Sequence, residues 1–163
     1  PEHGLVSERA SGSVKRACGE DEPCGLVRID GDELGSDPGR LSDEARTIAL
    51  FGGKRVVWVR DIGSRNLMPS LQPLLDDPPT EAMVVVEAGD LRPTSPVRKN
   101  LEKHAAALVI PCYADSARDI DRLLEDEARR HGLAVSPEAR EALHALLGSD
   151  RAGSRSEIGK LCL

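Results

Sequence analysis

The chain has 163 residues, 39% of them hydrophobic and 31% charged; this is the balance of a soluble globular protein with one core and the start of a second, and it excludes wholesale disorder. With 22 basic against 28 acidic side chains, the net charge of −6 excludes a protein whose main affinity comes from covering phosphates. Apolar runs are too short to span a membrane, and no signal-peptide pattern follows Pro1, so the sequence reads as a trimmed cytoplasmic fragment.

Phe51, Trp58 and Tyr113 are the only aromatic residues, so Leu, Val, Ile and Ala must build the core. Residues 5–17 read as a helix with Leu5 and Val6 near its start and Val14 and Ala17 on its inner side. Its Arg9, Lys15 and Arg16 fit a solvated face. "GLVRID" (25–30) is a strand. Asp37-Pro38 offers an N-cap carboxylate followed by Pro in the first turn, which predicts a helix over 38–51. "RVVWV" (55–59) is a second strand, apolar almost throughout, as a strand covered on both faces should be. In "NLMPSLQPLLDD", Leu67, Leu71, Leu74 and Leu75 form a helical stripe that two prolines shorten or bend. "AMVVVEAG" (82–89) is a third strand, "SPVRKNLEKHA" a helix, and "AALVIPCYA" a fourth strand ending at Pro111.

Strands alternating with helices predict βαβ units and a parallel sheet, an α/β domain over residues 1–113. From 114 onward the pattern is helical only. Ile120, Leu123, Leu124 and Ala128 share one side of the first helix; Ser136 caps the second, which opens on Pro137 and closes at Gly148; a third opens at Ser154 or Ser156.

Such a sheet is often a nucleotide scaffold, which needs G-x-x-x-x-G-K-[ST]. "PEHGLVSER" has the position of that loop, but Leu5 and Val6 follow Gly4 where Lys and Ser/Thr are required. The strand end "VVVEAG" supplies Glu87 alone, followed by Ala88, which reads as a polar strand end. No G-x-S-x-G elbow occurs, and Glu20-Asp21-Glu22 and Asp76-Asp77 lie in turn-forming surroundings. Cys18, Cys24, Cys112 and Cys162 read as scattered reduced thiols, and the four histidines have no metal-ligand spacing. No catalysis, cofactor or metal is expected.

The stretch "IALFGG" raises a separate question. On a helix from Pro38 to Phe51, Leu41, Ala45 and Ile48 define the buried stripe. Leu50 falls among Thr47, Arg46 and Asp43 on the polar face, and Phe51 lies at the stripe's edge before Gly52-Gly53. The pair is either a small apolar partner contact, or Leu50 tucks under a loop while Phe51 staples the helix to the next strand.

The blocks "PEHGLVSERA", "LVRIDGDEL", "DEARTIALFGGKRVVWVRD", "MVVVEAGDLRPTSPVRKNLEK", "IPCY" and "SRSEIGKLCL" resemble the delta subunit of the bacterial DNA polymerase III clamp loader, with "LFGGKRVVWVRD" the most specific. The resemblance implies an AAA+-like domain with a degenerate nucleotide site, whose first strand would precede Pro1. The start of a helical lid follows over 114–163, without the collar domain. It implies a non-catalytic component of the DNA polymerase III holoenzyme, a DNA-directed nucleotidyltransferase complex. In that family the delta subunit binds the sliding clamp (beta subunit) and helps open the ring for loading onto primed DNA, beside other loader subunits and with DNA met through the complex. Leu50 and Phe51 would enter a hydrophobic pocket on the clamp, and Ile48 falls on an apolar position of the same motif. The rival readings are a P-loop ATPase and a regulatory interaction domain.

Overall fold

The computed structural model describes residues 2–19, 24–48, 53–63, 65–114, 116–147 and 151–162. They form two compact units, Val6–Pro111 and Cys112–Leu163 together with Pro1–Leu5. Among the described residues no helix is long and apolar enough to cross a membrane.

The unit Val6–Pro111 is built on a parallel sheet in the order β1 (Cys24–Asp30), β2 (Lys54–Arg60), β3 (Ala82–Val86). Val57 pairs with Val27 on one side and Val84 on the other. Parallel strands need crossover connections, and helices supply them. Helix α1 (His3–Cys18) leads into β1; α2 (Gly31–Ser36) and α3 (Arg40–Arg46) link β1 to β2; α4 (Met68–Asp76) links β2 to β3; α5 (Pro96–Lys103) follows β3. Alternation along each strand sends Ile29, Val57 and Val59 to one face, where Leu41 and Ala45 of α3 and Leu74 of α4 close the core. Leu67 and Leu74 of the anticipated leucine stripe are buried there, and Leu71 packs against them.

Two segments depart from expectation. The helix anticipated over 38–51 is shortened to α3, Arg40–Arg46, and a separate helix, α2, precedes it. Asp30 caps α2 with a full capping box, Glu33 reaching back to the Asp30 amide. Asp37 ends that helix, its side chain accepting from Gly39 N–H at 3.1 Å, and α3 starts only at Arg40. It stops at Arg46 because Thr47 is extended (φ −67°, ψ 126°) and its hydroxyl donates to the Asp43 carbonyl at 2.7 Å. Two consecutive β-branched residues, Thr47 and Ile48, favour that exit.

The fourth strand is also absent. Residues 107–114 take no regular secondary structure, and Leu108 is 85% exposed. A strand exists only by pairing, and this segment joins none of β1–β3.

The second unit holds α6 (Ala117–Arg130), α7 (Pro137–Leu146) and α8 (Arg151–Leu161). Ile120, Leu123, Leu124 and Ala128 are buried, and Leu123 and Leu124 meet Ile158 in a separate core. Ser136 caps α7 by accepting from Ala139 N–H at 3.2 Å. The last helix runs over Arg151–Leu161, so Ser154 and Ser156 lie inside it and neither opens it.

Candidate interaction site at the end of helix α3

Helix α3 is held firmly on both sides. Leu41 and Ala45 lie in the core, at 0% and 4% exposure. Arg55 of β2 donates to the carboxylate and backbone carbonyl of Glu44. Arg46, the last residue of α3, donates to Asp77 Oδ2 at 2.6 Å and to the carbonyls of Pro73 and Asp77 at 3.3 and 3.2 Å. That ties the helix end to the end of α4, where an arginine also complements the helix dipole.

Immediately beyond this anchor the chain turns outward. Ile48 is 88% exposed, so the expected buried stripe Leu41–Ala45–Ile48 ends at Ala45. The cause is the extended Thr47, which takes Ile48 off the helical wheel. Leu50 and Phe51 lie outside the described residues. Gly53, the next described residue, has a φ of +83°, a backbone state that favours glycine. Ile48 therefore stands exposed at the base of the segment, two residues from an arginine fixed in place.

The phosphate-loop position is occupied by the chain's own groups. At the N-terminus of α1, the Glu2 carboxylate accepts from Gly4 N–H at 2.9 Å and from Leu5 N–H. An internal anion thus bonds the amides that a helix N-terminus otherwise offers to phosphate, and Leu5 is buried.

Glu87 is buried, with more to do than end a strand. It accepts from the Trp58 indole N–H at 2.7 Å and from the Ser7 hydroxyl at 3.1 Å, with Arg60 Nε 3.8 Å away. The guanidinium carbons of Arg28 and Arg60 lie 5.6 and 5.4 Å from the Trp58 ring centroid. The spacing Trp58–Arg60 on one strand was the available signal for this cluster, since i and i+2 share a face. Among the described residues, no group of three or more His, Cys, Asp or Glu could hold a metal ion.

The thiol reading needs correction. Cys18 and Cys24 are joined by a disulfide, their Cα atoms 5.0 Å apart. The separation of six residues is short, and the end of α1 and the start of β1 bring the two side chains together. Cys112 and Cys162 are half-buried and carry no disulfide.

In the helical unit, Asp121 of α6 accepts from Arg140 Nη1 at 2.8 Å and lies 2.8 Å from His144 Nε2, both on α7. Arg140 also donates to Glu125 at 2.9 Å. Hydrogen bonds from Arg140 and then His144 hold the Asp121 carboxyl below its ordinary range, and the same carboxylates raise the Arg140 guanidinium. The cluster fastens α6 to α7.

Three parallel strands flanked by helices, with α1 leading into the sheet, make an α/β fold that is structurally similar to the AAA+-like fold of a clamp-loader delta protein. The particular likeness is to the Bacillus subtilis DNA clamp loader delta protein (YqeN), with a TM-score of 0.55 and 18% identity. It covers 97% of this chain and 57% of that one, so the present chain spans little more than half of its structural neighbour. No protein-family model matches the sequence, and no curated protein matches it.

Proposed function

We propose that this chain is the clamp-binding part of a clamp-loader delta subunit. In this reading it binds the sliding clamp and helps open the ring for loading onto primed DNA, in the cytoplasm and in company with other loader subunits. It does no catalysis itself and serves a DNA polymerase III holoenzyme, with DNA contacted indirectly. The observation that carries the reading is the fold likeness to a DNA clamp loader delta protein over nearly the whole chain. The exposure of Ile48 beside a firmly anchored helix end supports it. The α/β domain over 1–113 presents the contact, and the lid over 114–163 follows it.

Leu50 and Phe51 enter an apolar clamp pocket, with Ile48 at its rim. Each side chain fully buried there contributes about 1.5–3 kcal/mol. That binding favours a clamp conformation in which one ring interface is weakened. The internal bonding of Glu2 and Glu87 supports the assignment of ATP hydrolysis to partner subunits.

The test is binding to immobilised sliding clamp, comparing the wild-type chain with a Leu50→Ala/Phe51→Ala variant whose fold is checked by circular dichroism. Loss of binding by a folded variant is expected. Wild-type affinity in the variant, or no clamp capture by the wild-type chain, overturns the proposal.

A further inference from the structure

The disulfide between Cys18 and Cys24 joins the last residue of α1 to the first residue of β1. Further along α1, the Ser7 hydroxyl donates to Glu87, and Arg9 Nη1 donates to the Pro111 carbonyl at 2.7 Å. Helix α1 is therefore fastened near its beginning by hydrogen bonds and at its end by a covalent bond, with Ala10 and Val14 buried between them.

We propose that Cys18 and Cys24 form a reversible, redox-sensitive clasp on α1. Both residues are half-buried, not sealed in a core, as exchange with a small thiol or disulfide requires. The loop they close is short, with a separation of six residues, and a short loop constrains the unfolded chain less than a long one. By linkage, a bond that stabilises the fold modestly is stabilised modestly by the fold, which leaves it open to exchange. The oxidant is a low-molecular-weight disulfide of the glutathione class. One cysteine thiolate attacks it, forming a mixed disulfide and releasing one glutathione; the second cysteine then displaces the other. Two protein thiols lose two electrons, and their two protons end on the two glutathione molecules released.

When the clasp opens, α1 stays packed as far as Val14, and the turn beyond it, Lys15–Cys18, loosens. The change is carried to Trp58, the single tryptophan, along β1, the strand that Cys24 opens and whose Arg28 guanidinium lies over the indole ring. This device depends on the placement of the two cysteines and stands apart from clamp binding.

The test equilibrates the chain with reduced and oxidised glutathione over a wide range of ratios, followed by thiol trapping and peptide mapping. Cys18 and Cys24 fall in one tryptic peptide, residues 17–28, which separates them from Cys112 and Cys162. Graded oxidation across the range is expected. The oxidised form should melt about 5 °C higher than the reduced form, with shifted Trp58 emission. A Cys18→Ser/Cys24→Ser variant should melt with the reduced form and show no redox dependence. Thiols that stay free at every ratio, a bond that survives the most reducing ratio, or identical melting of the two forms overturns the proposal.

Discussion

The indole N–H of Trp58 donates to Oε1 of Glu87 at 2.7 Å, joining the middle of β2 to the residue after β3. The other carboxylate oxygen of Glu87 accepts from Ser7 of α1, so one buried acid links two strands and a helix. Removing that acid leaves an indole N–H and a hydroxyl without their acceptor. Glu87→Ala is expected to lower stability by about 2 kcal/mol, measured by urea denaturation. The Trp58 emission should move to the red as water reaches the ring. Glu87→Gln, which keeps an acceptor oxygen, should cost less.

Two glycines at the ends of strands allow neighbouring backbones to touch. A Cβ on Gly31 would sit 2.6 Å from Ile62 Cα, and one on Gly89 would sit 2.6 Å from the Gly63 carbonyl oxygen. Backbone cannot step aside as a flexible side chain can, so Gly31→Ala and Gly89→Ala should each destabilise by about 1–3 kcal/mol. Gly35, inside α2, has nothing within 4 Å of an added Cβ. Gly35→Ala should stabilise by about 0.4–1 kcal/mol. Thermal melting of the three variants reads the contrast in sign.

Asp121 predicts how the helical unit responds to acid. Its carboxyl is held below the ordinary range, first by the hydrogen bond from Arg140. The unfolded chain, with an Asp value of about 3.9, therefore binds more protons than the folded one in that window. The contribution of Asp121 is complete above the unfolded value and is lost as pH falls through the folded one. A carboxyl-carbon NMR titration should place Asp121 below the ordinary aspartate value of about 3.9. Asp121→Asn should flatten the acid limb of the stability curve, and an unchanged limb would count against this cluster.

Much of this architecture was legible because the signals were local. The strands 25–30 and 55–59 announced themselves by apolar runs, and α7 by Ser136-Pro137. What stayed hidden depends on neighbours distant in the sequence. Residues 107–110 have strand composition, yet pairing decides whether a strand forms. The helix over 38–51 had a sound apolar period through Ala45, but Thr47 takes up the Asp43 carbonyl and ends it. The disulfide was missed because six residues of separation says nothing of where a helix end and a strand start will meet. Of the candidate contact residues, Ile48 belongs to both the expected buried stripe and the interaction motif; its exposure removes it from the first and leaves its place in the second a proposal.

Ile48 and Leu41 therefore separate binding from folding within one short stretch. Ile48 is 88% exposed and Leu41 is fully buried. Ile48→Ala removes little that the folded chain uses, so its stability should stay within about 0.5 kcal/mol of wild type. If Ile48 packs at the rim of a clamp pocket, partial burial is worth about 1 kcal/mol, and clamp affinity should fall by about fivefold. Leu41→Ala empties a core position and should lower stability by about 2–5 kcal/mol. Its effect on clamp binding should vanish under conditions where the variant remains folded. Measuring urea midpoints and clamp affinity on the same preparations gives both quantities. An Ile48→Ala chain that is destabilised as much as Leu41→Ala would return Ile48 to the core and remove it from the contact.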